Sequence, residues 1–272
     1  MRAATCLLRA SRTVCRTGPF TPRFFSSAAL VEPSSIVLNK AGAEDTADFR
    51  LFFHNKSDGN KLSPWHNISL GDQSKGIFNY VNEIPHGTTA KFEVNTEERH
   101  NPISQDIKKG KLRHYGIPSA FNYGCLPQTW EDPGLCYDKE GAFGDNDPVD
   151  VVEIGSQVIP SGAVIPVKPL GILCLLDEGE VDWKILAIAL SDPMASSLDD
   201  LDDLNKFLPN KVSEIREWFR TYKTHEGKPL NKFGLGEACM DRAFTLEIIE
   251  ETHHSYQKLM KGETRAHGLM LE

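Results

Sequence analysis

Two periodicities divide this chain, and their order limits what it can fold into. From about Phe49 to Leu190, short segments of period two alternate with turn residues; from about Leu198 onward the apolar period becomes helical. Ala90, Phe92 and Val94 alternate with Lys91 and Glu93. Val181, Trp183, Ile185, Ala187 and Ala189 form one face of a second strand whose opposite face carries Asp182 and Lys184. Asp150 to Ile154 and Ile172 to Leu176 read as further strands, the latter flanked by Pro169 and Gly171. Later in the chain, Val212, Ile215, Phe219 and Tyr222 fall on one helical stripe, and Phe244, Ile248, Ile249, Thr252, Tyr256, Leu259 and Met260 on another, closed by Gly262. Strands first and helices last imply an α+β domain, mainly β: a barrel or curled sheet flanked by C-terminal helices. With no repeat and no linker, residues 33–272 read as one domain.

Charge is spread unevenly. Of 272 residues, 30 are basic and 38 acidic, a net charge of −8, yet residues 1–25 hold Arg2, Arg9, Arg12, Arg16 and Arg23 and no acid. An Arg-rich, Ser-containing, acid-free start is the composition of a mitochondrial transit peptide, and Arg9, Arg12 and Arg16 break the apolar run that a secretory signal needs. Residues 1–32 are therefore read as transit peptide and spacer, and the expected location is the mitochondrial matrix. Without those five arginines, 25 basic and 38 acidic residues leave −13. Such a chain is a poor partner for nucleic acid. The longest nearly apolar stretch, Val164 to Leu176, contains Lys168 and two prolines and is too short to be a transmembrane segment. Cys125, Cys136, Cys174 and Cys239 are scattered without a C-x-x-C pair, as expected of ordinary thiols in a reducing compartment.

The sharpest local feature is Gly144-Asp145-Asn146-Asp147-Pro148-Val149-Asp150-Val151. Three carboxylates within six residues repel one another unless solvent screens them or cations compensate them, and hard divalent ions with oxygen ligands are the natural compensation. A solvated acidic turn is the plainer alternative. An EF-hand starting at Asp145 fails, because Asp150 and Ser156 stand where Gly and Glu are required. A phosphatase using Asp145 as nucleophile is a weak match, since no apolar strand precedes it. A second acidic cluster, Asp177 to Asp182, crosses a Gly turn and leads into Lys184; Lys91 and Glu93 repeat the pairing of cation and acid. Recurring on several strands, these groups fit the lining of one polar cavity. Acids, divalent metal and Lys/Arg together are what a polyphosphate substrate requires. His253-His254 lacks a neighbouring Asp and reads as structural, the Leu198–Leu204 run as an acid-rich helix start, and the four tryptophans as packing residues.

With these residues in view, the chain resembles the soluble family I inorganic pyrophosphatases of the eukaryotic, mitochondrial type. Besides the Asp145–Val151 stretch, Ser63-Pro64-Trp65-His66, Val81 to Pro85, Lys109 to Arg113, Asn122-Tyr123-Gly124, Pro127 to Pro133, Leu175 to Glu180, Asp182-Trp183-Lys184 and Trp218 to Lys223 are similar to family segments in the family's order. The resemblance implies a five-stranded OB-like β-barrel with flanking helices, hydrolysis of diphosphate with Mg²⁺ (Mn²⁺ or Zn²⁺ as substitutes), and a homodimer. It implies that Asp145, Asp150 and Asp182 hold the tightest metal, with Asp150 sharing a second. Asp177 joins Asp182 on a further one, and Glu93, Glu83 and Glu180 serve outer metals. Asp147 would orient or deprotonate the attacking water. Lys91, Arg113, Tyr123, Lys184, Tyr222 and Lys223 would bind the phosphoryl groups, with Arg113, Tyr222 and Lys223 on the leaving phosphate. Acids outnumber cations in this set by about four, so an anionic substrate needs several metals on Coulomb grounds.

One departure stands out. The segment between Arg113 and Asn122 is about five residues shorter than in the family, and Ser119 stands where a family tyrosine would be. No residue is assigned that tyrosine's role, although Tyr115 is a nearby phenol. The shortening motivates a competing expectation: a catalytically weak or inactive relative that acts as a binding or scaffold protein.

Overall fold

Among residues 30–137 and 141–272, which the computed structural model describes, the principal strands are β1 (Ile36–Ala41), β2 (Arg50–Asn55), β3 (Ile77–Ile84), β4 (Phe92–Val94), β5 (Ile103–Gln105), β6 (Asn122–Cys125), β7 (Asp150–Glu153), β8 (Val164–Asp177) and β9 (Glu180–Ala189). Helices α1 (Leu201–Phe207), α2 (Lys211–Thr221) and α3 (Arg242–Met260) follow. The fold is mainly β with helices toward the C-terminus, as the change of period implied. The arginines of the expected transit peptide lie outside the described residues.

A smaller sheet runs β1–β2–β5–β4. In the larger one, pairing runs β9–β7–β6–β3–β8, and β8 pairs again with β9. The β7–β9 pair is parallel; the others along this path are antiparallel. Strands β8 and β9 form a hairpin whose two turn residues, Glu178 and Gly179, both have positive φ (51° and 101°). That is the primed-turn geometry whose twist suits a two-residue hairpin. The turn fixes a register that sets Asp177 opposite Glu180 and Leu175 opposite Asp182.

Three local expectations change. Strand β8 does not stop at Pro169 but begins at Val164, because a register shift between Pro169 and Gly171 absorbs the missing N–H. Strand β1 lies before the region read as strands, and five of its six residues are exposed, so it carries no amphipathic signal. Backbone pairing with β2, from Ile36 opposite Asn55 to Ala41 opposite Arg50, forms it instead. Strand β9 is buried on both sides: Leu186 and Ile188 continue the face of Asp182 and Lys184 into the core, which confines its polar patch to those two residues.

The helices cover this framework. Asp200 caps α1 by accepting from the Leu201 N–H, with Asp202 and Asp203 in the first turn. Helix α2 buries Val212, Ile215, Trp218 and Phe219. Asp241 caps α3, which lies against β8, and the left-handed Gly262 (φ 69°) follows its end. His253 on α3 meets the Gln128 carbonyl through Nδ1 at 2.6 Å, a structural use. All four tryptophans are buried. Among the described residues, no helix is long and apolar enough to cross a membrane.

Candidate active site

The β8–β9 hairpin, the start of β7, strand β6, strand β4 and the end of α2 converge on one cavity of about 260 Å³. Its acidic wall grows from the loop before β7. Gly144 permits that loop to approach closely: a Cβ there would lie 2.5 Å from the Glu131 carbonyl oxygen. Asn146 adopts positive φ (77°), its N–H donates to the Glu131 carbonyl at 3.0 Å, and the Asp147 N–H donates to Asp145 Oδ1 at 3.0 Å. A bond within the loop and one to Glu131 thus set the loop's shape. Residue alternation on β9 aims Asp182 and Lys184 at the same space while Trp183 enters the core.

Lys184 is 1% exposed, and its ammonium donates to Asp150 Oδ2 at 2.5 Å, to the Tyr123 hydroxyl at 2.9 Å and to Asp182. Burial alone would lower this ammonium; the charges of Asp150 and Asp182 outweigh it and hold it protonated. Burial pushes the Asp182 carboxyl up to about 7 against the pull of Lys184, and also raises Asp145, with Asp182 and Asp147 adding repulsion. Asp147 faces the open cavity and is the most accessible of these acids; the surrounding protein and the Glu93 charge raise it. Glu83, buried on β3, is also raised by desolvation, although the Val94 N–H donates to it at 2.6 Å. Glu180 stands exposed at the rim.

Cations occupy the opposite side. Lys91 pairs with Glu93 and, at 3.0 Å, with Asp106. Arg113 gives Nε to Glu226 and Nη1 to Asp106, both at 2.9 Å, while Nη2 has no partner among the described residues. Tyr222 donates to Asp177 Oδ2 at 3.0 Å, and Lys223 donates to the same oxygen. Those bonds outweigh burial and hold Asp177 below its ordinary value. Helix α2 delivers both residues because Trp218 and Phe219 anchor its last turn, with Trp218 stacked on Tyr222 at 5.3 Å.

All fourteen residues singled out from sequence therefore meet here: Lys184 lies beneath the floor, and the other thirteen line the cavity. Sequence reasoning gave no role to Glu131. It is fully buried, accepts from the Trp183 N–H through Oε1 at 2.8 Å, and leaves Oε2 without a partner among the described residues. Ligand oxygens of Glu131, Asp145 and Asp182 lie within 4.8 Å of one another. Asp177 Oδ1 is a second buried carboxylate oxygen lacking a partner among the described residues. Oxygen donors left unsatisfied in a buried acidic cluster fit a hard divalent cation.

Comparison with known proteins agrees with this chemistry. The family model described as inorganic pyrophosphatase matches residues 80–257. The chain belongs to the soluble inorganic pyrophosphatase family. Over 252 residues it is 48% identical to soluble inorganic pyrophosphatase 6, chloroplastic, of Arabidopsis thaliana, covering 92% of this chain and 82% of that one. The inorganic pyrophosphatase of Zygosaccharomyces bailii is 47% identical over 230 residues, 82% of this chain and 79% of its own. Among solved structures, the inorganic pyrophosphatase from Schistosoma japonicum superposes with a TM-score of 0.79 at 42% identity, covering 82% of this chain and 80% of that one.

Within the pyrophosphatase framework, Asp106 and Glu226 also escaped sequence reasoning. They hold two of the three Arg113 nitrogens and so fix where the third can reach. The only signal for Glu131 was an acid beside a buried tryptophan in Pro127–Pro133. For Glu226, 113 residues beyond Arg113, there was none.

Proposed function

We propose that this chain hydrolyses inorganic diphosphate to two phosphates in a Mg²⁺-dependent reaction within this cavity. What carries the reading is acceptor oxygens (Glu131 Oε2, Asp177 Oδ1) and a donor (Arg113 Nη2) that have no partner among the described residues, in one site of a pyrophosphatase-family chain. Asp145, Asp150 and Asp182, with Glu131 beside them, would hold the tightest cation. Asp177 with Asp182 would hold another, and Glu83, Glu93 and Glu180 would serve the periphery. Bound divalent ions supply Lewis acidity at the phosphoryl oxygens and make a bound water more acidic. Asp147 then accepts the water's proton, a task suited to a carboxyl raised from its ordinary value. Lys91, Arg113, Tyr123, Lys184, Tyr222 and Lys223 neutralise and orient the diphosphate; Arg113, Tyr222 and Lys223 take the departing phosphate. The ring of pairings through β3, β6, β7, β9 and β8 supports the OB-like barrel reading.

The Arg-rich, acid-free residues 1–25 support import into the mitochondrial matrix, and residues 33–272 act as one domain, in a homodimer by resemblance. Phosphate release from diphosphate tests the reaction, run on the wild type and on Asp147→Asn. We expect turnover by the wild type and a loss of roughly 10²–10⁴-fold in the variant. An equally active variant would remove Asp147 from the proton-accepting role. Import of the full chain into isolated mitochondria, with shortening, tests the address.

A further inference from the structure

Three phenols line the cavity, and two are already engaged. Tyr123 donates to Asp150 and accepts from Lys184, and Tyr222 donates to Asp177. The third is Tyr115, and among the described residues no hydrogen bond engages its hydroxyl. Its position is nonetheless firmly set. The Tyr115 N–H donates to the Thr89 carbonyl at 2.7 Å. The ring, 7% exposed, meets Trp218 edge-on at 5.0 Å and Tyr222 at 5.8 Å. A buried phenol held this rigidly, with an unengaged O–H at a polar cavity, is a positioned donor awaiting an acceptor.

The neighbouring donor sharpens what that acceptor is. Two residues earlier, Arg113 has Nε and Nη1 occupied and Nη2 without a partner among the described residues. One short stretch of backbone therefore presents two unspent donors, one charged and one neutral, to a single cavity. Ser119 offers nothing there: 2% exposed, its hydroxyl donates to the Phe121 carbonyl at 2.6 Å. Lys91, on the far side of the Arg113 carbonyl it bonds, adds positive charge to the same wall. Two donors on the lining of one cavity, without protein acceptors among the described residues, fit an anionic oxygen.

We infer that Tyr115 is a substrate-binding residue of this site, its hydroxyl donating to a phosphoryl oxygen of the same phosphate that Arg113 Nη2 contacts. The inference rests on the diphosphate reading above and adds to it a residue that neither the family segments nor the spacing supplied. It also gives the shortened segment a function: residues 113–115 deliver both donors before the chain turns back at Gly116.

Tyr115→Phe keeps the ring and removes the O–H. With the full chain and Mg²⁺, kcat/KM for diphosphate should fall roughly ten- to hundredfold. Affinity for inorganic phosphate, read by titration calorimetry, should fall in parallel, while Ser119→Ala stays at wild-type values in both assays. Unchanged kcat/KM and unchanged phosphate affinity in Tyr115→Phe would overturn the assignment. Should the wild type release no phosphate, the hydrolase reading fails by itself. Weakened phosphate binding by the variant then still supports Tyr115 as an anion donor, and unchanged binding overturns it. Independently of how that variant folds, 3-fluorotyrosine at position 115 gives a ¹⁹F signal. A shift on adding inorganic phosphate with Mg²⁺ supports the contact, and no shift at saturation refutes it.

Discussion

Replacing Lys184 by Met should destabilise the metal-free protein more than the metal-loaded one. The ammonium is 1% exposed and is the shared counter-charge of Asp150 and Asp182. At the 2.5 Å separation from Asp150, one such contact is worth roughly 7 kcal/mol of Coulomb attraction with an effective dielectric near 20. Desolvating the ammonium offsets part of this, so deleting the cation costs about 3–5 kcal/mol, mostly because two buried carboxylates are left uncompensated. In a domain of this size, that lowers Tm by roughly 6–20 °C. Met keeps an unbranched apolar stem of similar length, and its terminal methyl would lie near the Tyr123 and Phe219 rings, whose centres are 5.4 Å from the ammonium it replaces, so packing loss contributes little. Thermal unfolding with chelator present measures the deficit. Repeating it in excess Mg²⁺ should recover much of the loss, because divalent cations replace the missing charge and bind the folded site only. A chelator-treated variant melting within about 2 °C of wild type would refute the view that Lys184 compensates buried acids.

Three further outcomes follow from the same geometry. Arg113→Lys cannot serve Glu226, Asp106 and an anion at once, so kcat/KM for diphosphate should fall roughly 10–100-fold in steady-state assays; an unchanged value would contradict the fork. Glu131→Gln removes a buried carboxylate that has an unpartnered oxygen, so calorimetric Mg²⁺ titration should show at least about tenfold weaker binding while metal-free Tm rises. Equal Mg²⁺ affinity would exclude Glu131 from the metal site. His66, remote from the cavity, is held neutral between the Tyr256 hydroxyl and the Met270 carbonyl, and burial lowers it from 6.5 to about 4. The unfolded chain therefore takes up this proton first as pH falls, and stability drops between about pH 6.5 and 4 by as much as about 3 kcal/mol. His66→Gln should flatten that part of the Tm–pH curve; an unchanged slope would reject the linkage.

What could be read from sequence was whatever repeats or lies close along the chain. The β9 alternation, the α2 and α3 stripes and the Asp145–Asp150 loop announce themselves through spacing alone. Strand β1 did not, since an exposed strand held by backbone pairing has no apolar period. The prolines of β8 suggested an end where the sheet accommodates a register shift. At the site, acids and cations were legible because their charges cluster improbably, whereas the groups that orient them were not. Glu226 reaches Arg113 from 113 residues away, and Glu131 is distinguished by complete burial rather than by any pattern. Tyr115 was visible only as a nearby phenol, and its packing on Trp218 and Tyr222 is tertiary information.

The central claim is that cations held by these carboxylates are required for diphosphate cleavage in this cavity. The most direct measurement is phosphate release from diphosphate by chelator-treated protein as Mg²⁺ is added back. Release should be negligible without metal and should rise to full turnover that saturates with Mg²⁺. Turnover that is already complete before Mg²⁺ is added, or absent at saturating Mg²⁺, would contradict it.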